Sequence, residues 1–420
     1  MIVQKIKSIG LWLLLPFLLL LCSGCGQVSP KPPVHITLWH GVNPPSNREV
    51  LQRLVDKFNQ SQTEVFVEAI YVGQPDQQIP KILAAVVGNA PPDLLWYNPT
   101  LTGRLVELDA IAPIDDYLNN SPVAVDLDPA LRSTMSLEGH LWSIPFGTNN
   151  VALFYRPSLF REAGIKELPR TWRDLEAVAA QLTRDIDGDG KTDRYALLLP
   201  LGKGEFTVFI WLPFLWSTGA ELLPRLDSPG AIEALTLWQN LVKTGKALLS
   251  QPERGYEEEN FFAGRVAMQI SGSWALRYIA SKGIDYGVMP LPYARIPTTV
   301  VGGENLFMLK TNPQRQKLAW KFMEYVLSEE FQTEWAIGTG YLPVNLRAQR
   351  HPRYQTYLQE NPAMGIFLRQ MSAGKSRPLV YSYPRLSENL GRAIEQVLLG
   401  KQTPAQALAQ AQQRLQGTLK

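Results

Sequence analysis

Between residues 34 and 97, segments typical of strands alternate with segments typical of helices, and the connections are short. The strand segments are alternating or continuous apolar runs, and the helical segments repeat apolar residues every three or four positions. In chain order the five segments are 34–39, 48–59, 65–72, 79–87 and 93–97. This order predicts a mostly parallel sheet and the α/β fold class. Ligands bind at the C-terminal strand ends of such sheets, which makes His40, Tyr97 and Asn98 candidates for binding.

The length of 420 residues is too great for one compact core and predicts two lobes or three. The clearest local signal in the next part of the chain is 139–172, where an apolar strand at 151–155 is followed by a turn and a helix. Small and amide residues at 146–150 precede that strand. Such a run suits a backbone that bends and presents hydrogen-bonding side chains, as a crossing between lobes requires. An ordinary loop that enters a buried strand explains the same residues.

The first 25 residues have the pattern of an export signal. Two lysines precede an apolar run at 9–21, which is shorter than the roughly 20 residues of a membrane span. Both cysteines of the chain, Cys22 and Cys25, stand at the end of this segment. That end resembles a bacterial lipobox, which implies a lipoprotein signal peptide at 1–24, acylation of Cys25 and a tether at 25–33. A signal for a soluble exported protein is the alternative.

Charge and motif content argue against several classes of function. The formal net charge is +3, and Lys5 and Lys7 of the leader supply two of the positive charges, so nothing favours a nucleic-acid partner. The histidines lack the paired spacing of a catalytic metal site. Nucleotide-binding and serine-hydrolase motifs are absent from the sequence. Carboxylates are plentiful, so a glycosidase pair stays open, although no pair is singled out.

One acidic loop has the spacing of a calcium site. Its aspartates stand at loop positions 1, 3, 5 and 9, with glycine at position 6. The glutamate expected at position 12 is replaced by Ala196. Weak binding of a structural calcium and a solvated acidic turn are both consistent with this loop, which contains Asp185, Asp187, Asp189 and Asp193.

The positions of the tryptophans indicate a ligand site more clearly than the positions of the charged residues do. Six tryptophans fall at or beside predicted strand ends or turns: Trp39, Trp96, Trp142, Trp211, Trp216 and Trp274. Aromatic faces stack on sugar rings, while amides, carboxylates and arginines bind the hydroxyls. Packing in the core is the alternative for most of them, which leaves a few for a cleft.

Three separated groups of residues form a recognisable pattern. The first combines GHLWSIPF at 139–146, LFY at 153–155 and PRTW ending at Trp172. The second is FFAGRVAMQISGSW at 261–274, and the third joins Gly302-Gly303 to AWKF at 319–322. Together they resemble the extracellular solute-binding proteins of bacterial ABC importers, in the sugar-binding family that includes maltose-binding protein and the glycerol-3-phosphate-binding protein. Arg156 stands where that family usually has asparagine.

The resemblance implies a two-lobed periplasmic-binding-protein fold with a ligand cleft between the lobes. The first α/β lobe would contain 34–148 plus 305–345, and the second 149–304 plus 346–420. The chain would cross between them near 148–151, 302–305 and 341–345.

The same resemblance implies a set of ligand-binding residues. Trp274 would be the stacking platform, and Asn149 and Asn305 would be cleft amides at the crossings. The other candidates are His40, Asn98, Thr148, Trp211, Trp216, Ser273, Gly303, Tyr341 and Arg385.

From these observations we expect a binding protein that performs no catalysis. It would capture a di- or oligosaccharide or a glycoside as a monomer, without a cofactor, and deliver it to ABC permease subunits. We expect it in the periplasm or anchored to the outer face of the cytoplasmic membrane. The alternatives are glycerol-3-phosphate or a related glycerol derivative, for which Arg377 and Arg385 are the candidate phosphate ligands, an exported carbohydrate-active enzyme, and a partner of a sensor.

Overall fold

The computed structural model describes residues 32–250 and 258–416. The signal peptide and Cys25 lie outside the described residues, as does most of the tether. The strands, in chain order, are β1 (Val34–His40), β2 (Val65–Tyr71), β3 (Leu94–Tyr97), β4 (Ser136–Leu137), β5 (His140–Leu141), β6 (Ser143–Tyr155), β7 (Tyr195–Leu199), β8 (Ala247–Leu249), β9 (Val266–Gly272), β10 (Gly287–Met289), β11 (Thr299–Met308) and β12 (Gly374–Ser376).

The helices cover the faces of the sheet. In the described residues they are α1 (Pro45–Ser61), α2 (Pro75–Val87), α3 (Thr102–Glu107), α4 (Asp115–Asn119), α5 (Pro157–Glu162), α6 (Trp172–Leu182), α7 (Glu205–Ser217), α8 (Pro229–Lys243), α9 (Glu259–Phe262), α10 (Leu276–Ser281), α11 (Pro313–Leu327), α12 (Glu329–Thr339), α13 (Leu346–Arg350), α14 (Pro352–Glu360), α15 (Pro362–Gln370), α16 (Tyr383–Leu398) and α17 (Pro404–Gln416). Each of them is too short or too polar to cross a membrane.

The main sheet has the strand order β2-β1-β3-β11-β6-β9-β7-β8, with β10 paired to β6 and β12 paired to β11. Strand β1 is parallel to both β2 and β3, which confirms the parallel sheet predicted for residues 34–97. At the other end β7 is parallel to β8 and β9. The two long central strands, β6 and β11, are antiparallel to each other and to their other neighbours in this order. The sheet is therefore mixed, with a parallel region on each side of an antiparallel centre.

Two large hydrophobic cores lie on either side of the central strands. The first-lobe core has its buried members between residues 36 and 146 and between 306 and 344. The second-lobe core has its members between 151 and 300 and between 383 and 415. Strands β6 and β11 contribute to both cores, so each of these strands passes from one to the other. The exact residues at which the lobes divide stay a prediction.

The structure corrects the expected bend at residues 146–150. These residues belong to β6, which continues without interruption from Ser143 to Tyr155 and is buried along nearly its whole length. The amides are held by pairing with β11 on one side and, beyond them, with β9 on the other. The small and amide residues therefore form an extended strand between the two cores rather than a loop.

Candidate functional site

Strands β6 and β11 bring four of the predicted site residues together where they pass between the cores. Thr148 pairs with Gly303 and Asn149 pairs with Gly302. The register shifts between Glu304 and Asn305, which is an irregularity of the β-bulge type. Bulges bend a strand and redirect its side chains. The directions of the side chains at Glu304 and Asn305 therefore depend on this irregularity as well as on the alternation of the strand.

The two glycines of β11 permit close packing against β6. Gly303 has a φ of +118°, and a Cβ at this position would overlap the carbonyl oxygen of Gly147. A Cβ on Gly302 would lie 2.5 Å from Asn149 Oδ1 and 2.7 Å from the ring of Phe209. Only glycine fits this backbone conformation and this spacing. The absence of side chains thus lets Asn149 and Phe209 approach the backbone of β11.

A third segment joins these strands. The amide of Leu342 donates to the carbonyl oxygen of Thr148 at 2.8 Å, and the amide of Thr148 donates to Leu342 O at 3.2 Å. Next to it, the Tyr341 hydroxyl donates to Glu304 Oε2 at 3.0 Å. Burial, with a further contribution from Glu304, raises the pKa of Tyr341 well above its ordinary value, so the hydroxyl stays a neutral donor.

Trp274 lies at the meeting point of the cores. It follows β9, is half-buried, and packs against the first-lobe core, the second-lobe core and a third cluster around Phe154 and Phe367. Its ring centroid lies 6.3 Å from that of Phe209. Its backbone oxygen accepts a hydrogen bond of 3.4 Å from Asn47 Nδ2 on α1. The side chain predicted to be a stacking platform is thus placed where both lobes contact it.

A small pocket lies between the lobes beside the crossing strands, and we call it the interlobe pocket. First-lobe segments, the two crossing strands, the end of β12 and the segment after it all contribute to its wall. The lining residues are Pro99, Thr100, Leu131, Thr134, Pro145, Gly147, Thr148, Val301, Gly302, Gly303, Asn305, Ser376, Arg377 and Leu379. Three predicted residues, Thr148, Gly303 and Asn305, are therefore among its lining. Gly302 and Arg377 connect this pocket to Phe209, because Arg377 Cζ lies 4.7 Å from the Phe209 ring centroid.

The polar side chains at the crossing differ in how they are engaged. Asn305 Nδ2 donates to Thr134 O and to Ser143 Oγ, each at 2.8 Å. Thr148 Oγ1 donates to Gly302 O at 3.1 Å. In contrast, Asn149 Oδ1 and Ser273 Oγ are buried atoms without a hydrogen-bond partner among the described residues. Unpaired buried polar atoms are costly in a folded protein, which makes these two atoms candidates to accept a hydrogen bond from a ligand.

Two predicted residues at strand ends have structural roles in the first lobe. His40 is 4% exposed, and burial, aided by the nearby Arg48 charge, lowers its pKa from 6.5 to about 4. The imidazole is therefore neutral, and its Nδ1 accepts from the Val42 amide at 3.4 Å. Asn98 Oδ1 accepts from the amide and the hydroxyl of Thr100 at 3.0 and 2.9 Å. It thereby shapes the turn that supplies Thr100 to the interlobe pocket.

Trp211 and Trp216 are placed differently from the sequence-based expectation. Both lie on α7, a helix whose residues are buried on every side from Thr207 to Ser217. Both rings belong to the second-lobe core, with Trp211 fully buried. This placement corresponds to the core alternative, in which both rings pack inside the second lobe. Phe209 on the same helix is the aromatic residue that reaches Trp274 and Gly302.

The arginine at the interlobe pocket is Arg377, whereas Arg385 is exposed on α16 and is not in the pocket lining. Arg377 Nη1 donates to Glu205 Oε1 at 2.6 Å. Sequence reasoning did not select Glu205, Phe209 or Glu304. For Glu304 a signal existed, since it stands between Gly303 and Asn305 in the GGEN run. For Glu205 and Phe209 no local signal distinguished them from other helix residues.

The acidic loop lies away from this site, in the α6–β7 connection. Ligand atoms of Asp185, Asp187 and Asp193 lie within 4.8 Å of one another. The carboxylates already accept hydrogen bonds from loop amides, for example Gly190 N to Asp185 Oδ2 at 2.8 Å. Calcium binding at this loop stays a prediction. The role of Asp189 as a fourth calcium ligand also stays a prediction.

Comparisons with known proteins agree on one family. The sequence model described as "Bacterial extracellular solute-binding protein" matches residues 53–364. The sn-glycerol-3-phosphate-binding periplasmic protein UgpB of Salmonella typhimurium is 26% identical over 404 residues, which are 90% of this chain and 91% of that protein. The alignment therefore covers about nine tenths of each protein.

Solved structures show the same likeness. The cyclic alpha-maltosyl-1,6-maltose binding protein of Arthrobacter globiformis has a TM-score of 0.74 and 25% identity, covering 92% of this chain and 99% of that one. UgpB from Mycobacterium tuberculosis, solved in complex with glycerophosphocholine, has a TM-score of 0.80 and 21% identity, covering 93% of this chain and 98% of that one. The second likeness concerns the fold alone, and it is the fold of two-lobed solute-binding proteins.

Proposed function

Because the chain belongs to the family of bacterial extracellular solute-binding proteins, we propose that it captures a carbohydrate and delivers it to an ABC importer. The ligand class is a di- or oligosaccharide or a glycoside, and the receiving partners are the permease subunits in the membrane. The relatives named above are binding proteins rather than enzymes. The chain is accordingly a carrier that leaves its ligand chemically unchanged.

The observation that carries this proposal is the position of Trp274 between both lobes. A half-buried indole ring that packs against three hydrophobic clusters places an apolar aromatic surface at the crossing. Sugar rings present apolar C–H faces that stack on such a surface. Phe209, 6.3 Å from Trp274, provides a second aromatic ring beside it.

Hydroxyl recognition is supported by the polar atoms around Trp274. The buried Asn149 Oδ1 and Ser273 Oγ each have a free acceptor among the described residues. A sugar hydroxyl can donate to either atom. Binding is favoured because a buried acceptor without a partner then gains a hydrogen bond. Thr148 and Gly303 at the pocket wall add backbone and hydroxyl groups within the same short stretch.

Delivery would follow from closure of the lobes around the ligand. We assign the first lobe to 34–148 plus 305–345 and the second to 149–304 plus 346–420. Ligand that contacts both lobes favours the closed arrangement, which a permease can distinguish from the open one. One chain contains the whole cleft, so we propose that a monomer suffices.

We also propose that Cys25 is acylated and holds the mature chain at the outer face of the cytoplasmic membrane. The support is the leader sequence, with small residues at 23–24 before Cys25. Expression of the full chain with Cys25→Ser tests it. Wild-type protein should fractionate with membranes and carry acyl groups by mass spectrometry, while the variant should not. Equal release of both into the soluble fraction would leave an ordinary export signal.

Glycerol-3-phosphate or a related glycerol derivative is the second candidate ligand. It is favoured by the name of the Salmonella typhimurium relative, which spans 90% of this chain. Arg377 in the pocket lining is the side chain that would meet a phosphate.

A ligand panel tests the proposal directly. Purified protein is unfolded and refolded to remove bound solute, then screened by thermal shift against di- and oligosaccharides, glycosides, glycerol-3-phosphate and glycerophosphocholine. A bound ligand raises the melting temperature by mass action, and isothermal titration then gives its Kd. Stabilisation by a carbohydrate supports the proposal. No response to any carbohydrate, together with tight binding of glycerol-3-phosphate or glycerophosphocholine, would exclude it.

A further inference from the structure

Arg377 is the one ionisable side chain among the described residues that line the interlobe pocket. It is 7% exposed, so its charge needs a partner close by. Its guanidinium lies over the Phe209 ring, and Nη1 donates to Glu205 Oε1 at 2.6 Å. The cation that a phosphate ligand would use is therefore already in an internal ion pair.

Glu205 is held firmly in this arrangement. It is the first residue of α7, and it accepts hydrogen bonds from three residues of the second lobe. Besides Arg377, the Tyr383 hydroxyl donates to Oε1 at 2.9 Å, and the Ser387 hydroxyl donates to Oε2. Both donors lie on α16 and are buried. A carboxylate with three donors does not leave its arginine easily, because each donor would lose its acceptor.

A second carboxylate, that of Glu304, adds negative charge near Arg377. Glu304 interacts electrostatically with Arg377 and accepts from the Tyr341 hydroxyl at 3.0 Å. Burial disfavours the charge of Arg377, yet Glu205, Tyr383 and Glu304 together hold its pKa above the ordinary value. One arginine and two glutamates sum to a formal charge of −1 at the crossing. A phosphate monoester brought here would meet a paired cation and a net negative surrounding.

We propose that Glu205 makes this pocket select uncharged polyols over phosphate-bearing ligands by holding Arg377 in an internal ion pair. This inference rests on the proposed function, since it takes the interlobe pocket to be the ligand site. Glu205 is a specificity-determining residue that acts through Arg377. An uncharged sugar leaves the ion pair intact and uses neutral polar groups of the pocket wall, such as the hydroxyls of Thr100 and Thr148.

The test compares phosphate binding by the wild type and by Glu205→Gln, which keeps the shape and an acceptor oxygen but removes the charge. Isothermal titration uses sn-glycerol 3-phosphate and inorganic phosphate as probes. We expect the wild type to bind either probe weakly, with a Kd of about 1 mM or more. Glu205→Gln should bind sn-glycerol 3-phosphate at least tenfold more tightly, which corresponds to about 1.4 kcal/mol. The double variant Glu205→Gln/Arg377→Gln should lose that gain.

Glu221→Gln is the matched control, because Glu221 forms a more exposed ion pair with Lys375 on the same lobe. It should bind the probes as the wild type does. Should Glu205→Gln fail to fold, the selectivity is measured on the wild type instead. Its affinity for trehalose is compared with that for trehalose 6-phosphate, and its affinity for maltose with that for maltose 6-phosphate. In a pair whose sugar binds, the phosphorylated form should be at least tenfold weaker.

Two results would overturn the inference: micromolar binding of sn-glycerol 3-phosphate by the wild type, or no gain in phosphate binding by a folded Glu205→Gln variant. Failure of the proposed function looks different. In that case no carbohydrate binds, while the comparison of phosphate affinity between the wild type and Glu205→Gln can still be made.

Discussion

The hydroxyl of Tyr341 donates a hydrogen bond of 3.0 Å to Oε2 of Glu304, and this bond joins the third crossing segment to strand β11. Both residues lie where the chain passes between the lobes. Tyr341 is buried and Glu304 is half-buried, and Asn149 of strand β6 also lies beside the Tyr341 hydroxyl. All three crossing segments are thus connected through one tyrosine.

Tyr341→Phe should destabilise the protein by about 1–3 kcal/mol, because Glu304 loses a buried donor. Urea unfolding followed by tryptophan fluorescence measures this free energy. Tyr354→Phe is the matched control, since the Tyr354 hydroxyl is buried without a hydrogen-bond partner in the described chain. Its removal should change stability by less than about 1 kcal/mol. Equal losses in the two variants would show that the bond to Glu304 contributes nothing specific.

Trp274→Ala should weaken binding of the carbohydrate found in the panel by about 2–4 kcal/mol, because the stacking surface at the crossing is removed. Isothermal titration provides the Kd. Trp142→Ala is the control, since Trp142 is also half-buried but packs against a first-lobe cluster and donates from Nε1 to Leu137 O. The control should leave Kd unchanged. If Trp274→Ala also leaves it unchanged, Trp274 is a packing residue.

Gly303→Ala should lower the free energy of unfolding by about 3 kcal/mol or more, because the new Cβ meets both a positive φ and the Gly147 carbonyl oxygen. Gly164→Ala separates the two effects. Gly164 also has a positive φ, of +74°, but a Cβ there has no atom within 4 Å. That control should cost only about 1 kcal/mol. Thermal and urea unfolding of both variants would reveal whether the close approach of β6 and β11 matters beyond backbone conformation.

His40 predicts a pH dependence of stability. Its pKa is about 4 in the folded protein, against 6.5 as the ordinary value, so the unfolded chain binds more protons between these limits. Stability is therefore complete above about pH 6.5 and falls as the pH decreases towards 4. Between pH 6.5 and pH 5 the contribution of His40 to this loss is about 2 kcal/mol.

Urea unfolding at pH 7, 6 and 5 measures that loss. His40→Gln should show a shallower dependence on pH than the wild type, while His35→Gln, an exposed residue of the same strand, should follow the wild type. Parallel curves for the wild type and His40→Gln would contradict the assignment.

The alternation at residues 34–97 was sufficient to predict the first three strands of the sheet, the two helices between them and the parallel order of these strands. Hydrophobic periodicity is local information, and short connections leave few topologies. The motif resemblance further predicted that Thr148, Gly303 and Asn305 would gather at a crossing, and they line one pocket. The sequence did not show which side of the helix α7 faces the core, because this helix is apolar on all sides. The core positions of Trp211 and Trp216 therefore could not be predicted from it.

The sequence by itself determined the local elements and the membership of the solute-binding family, because both follow from residue patterns that can be read along the chain. Only the tertiary structure decided which polar groups meet between the lobes. Glu205 and Arg377 are 172 positions apart, and Glu304 and Tyr341 are 37 apart. The first contact joins the start of α7 to the segment that follows β12, and the second joins β11 to the third crossing segment. No local pattern encodes the pairing of an arginine with one particular carboxylate, because the two residues meet only when the chain is folded.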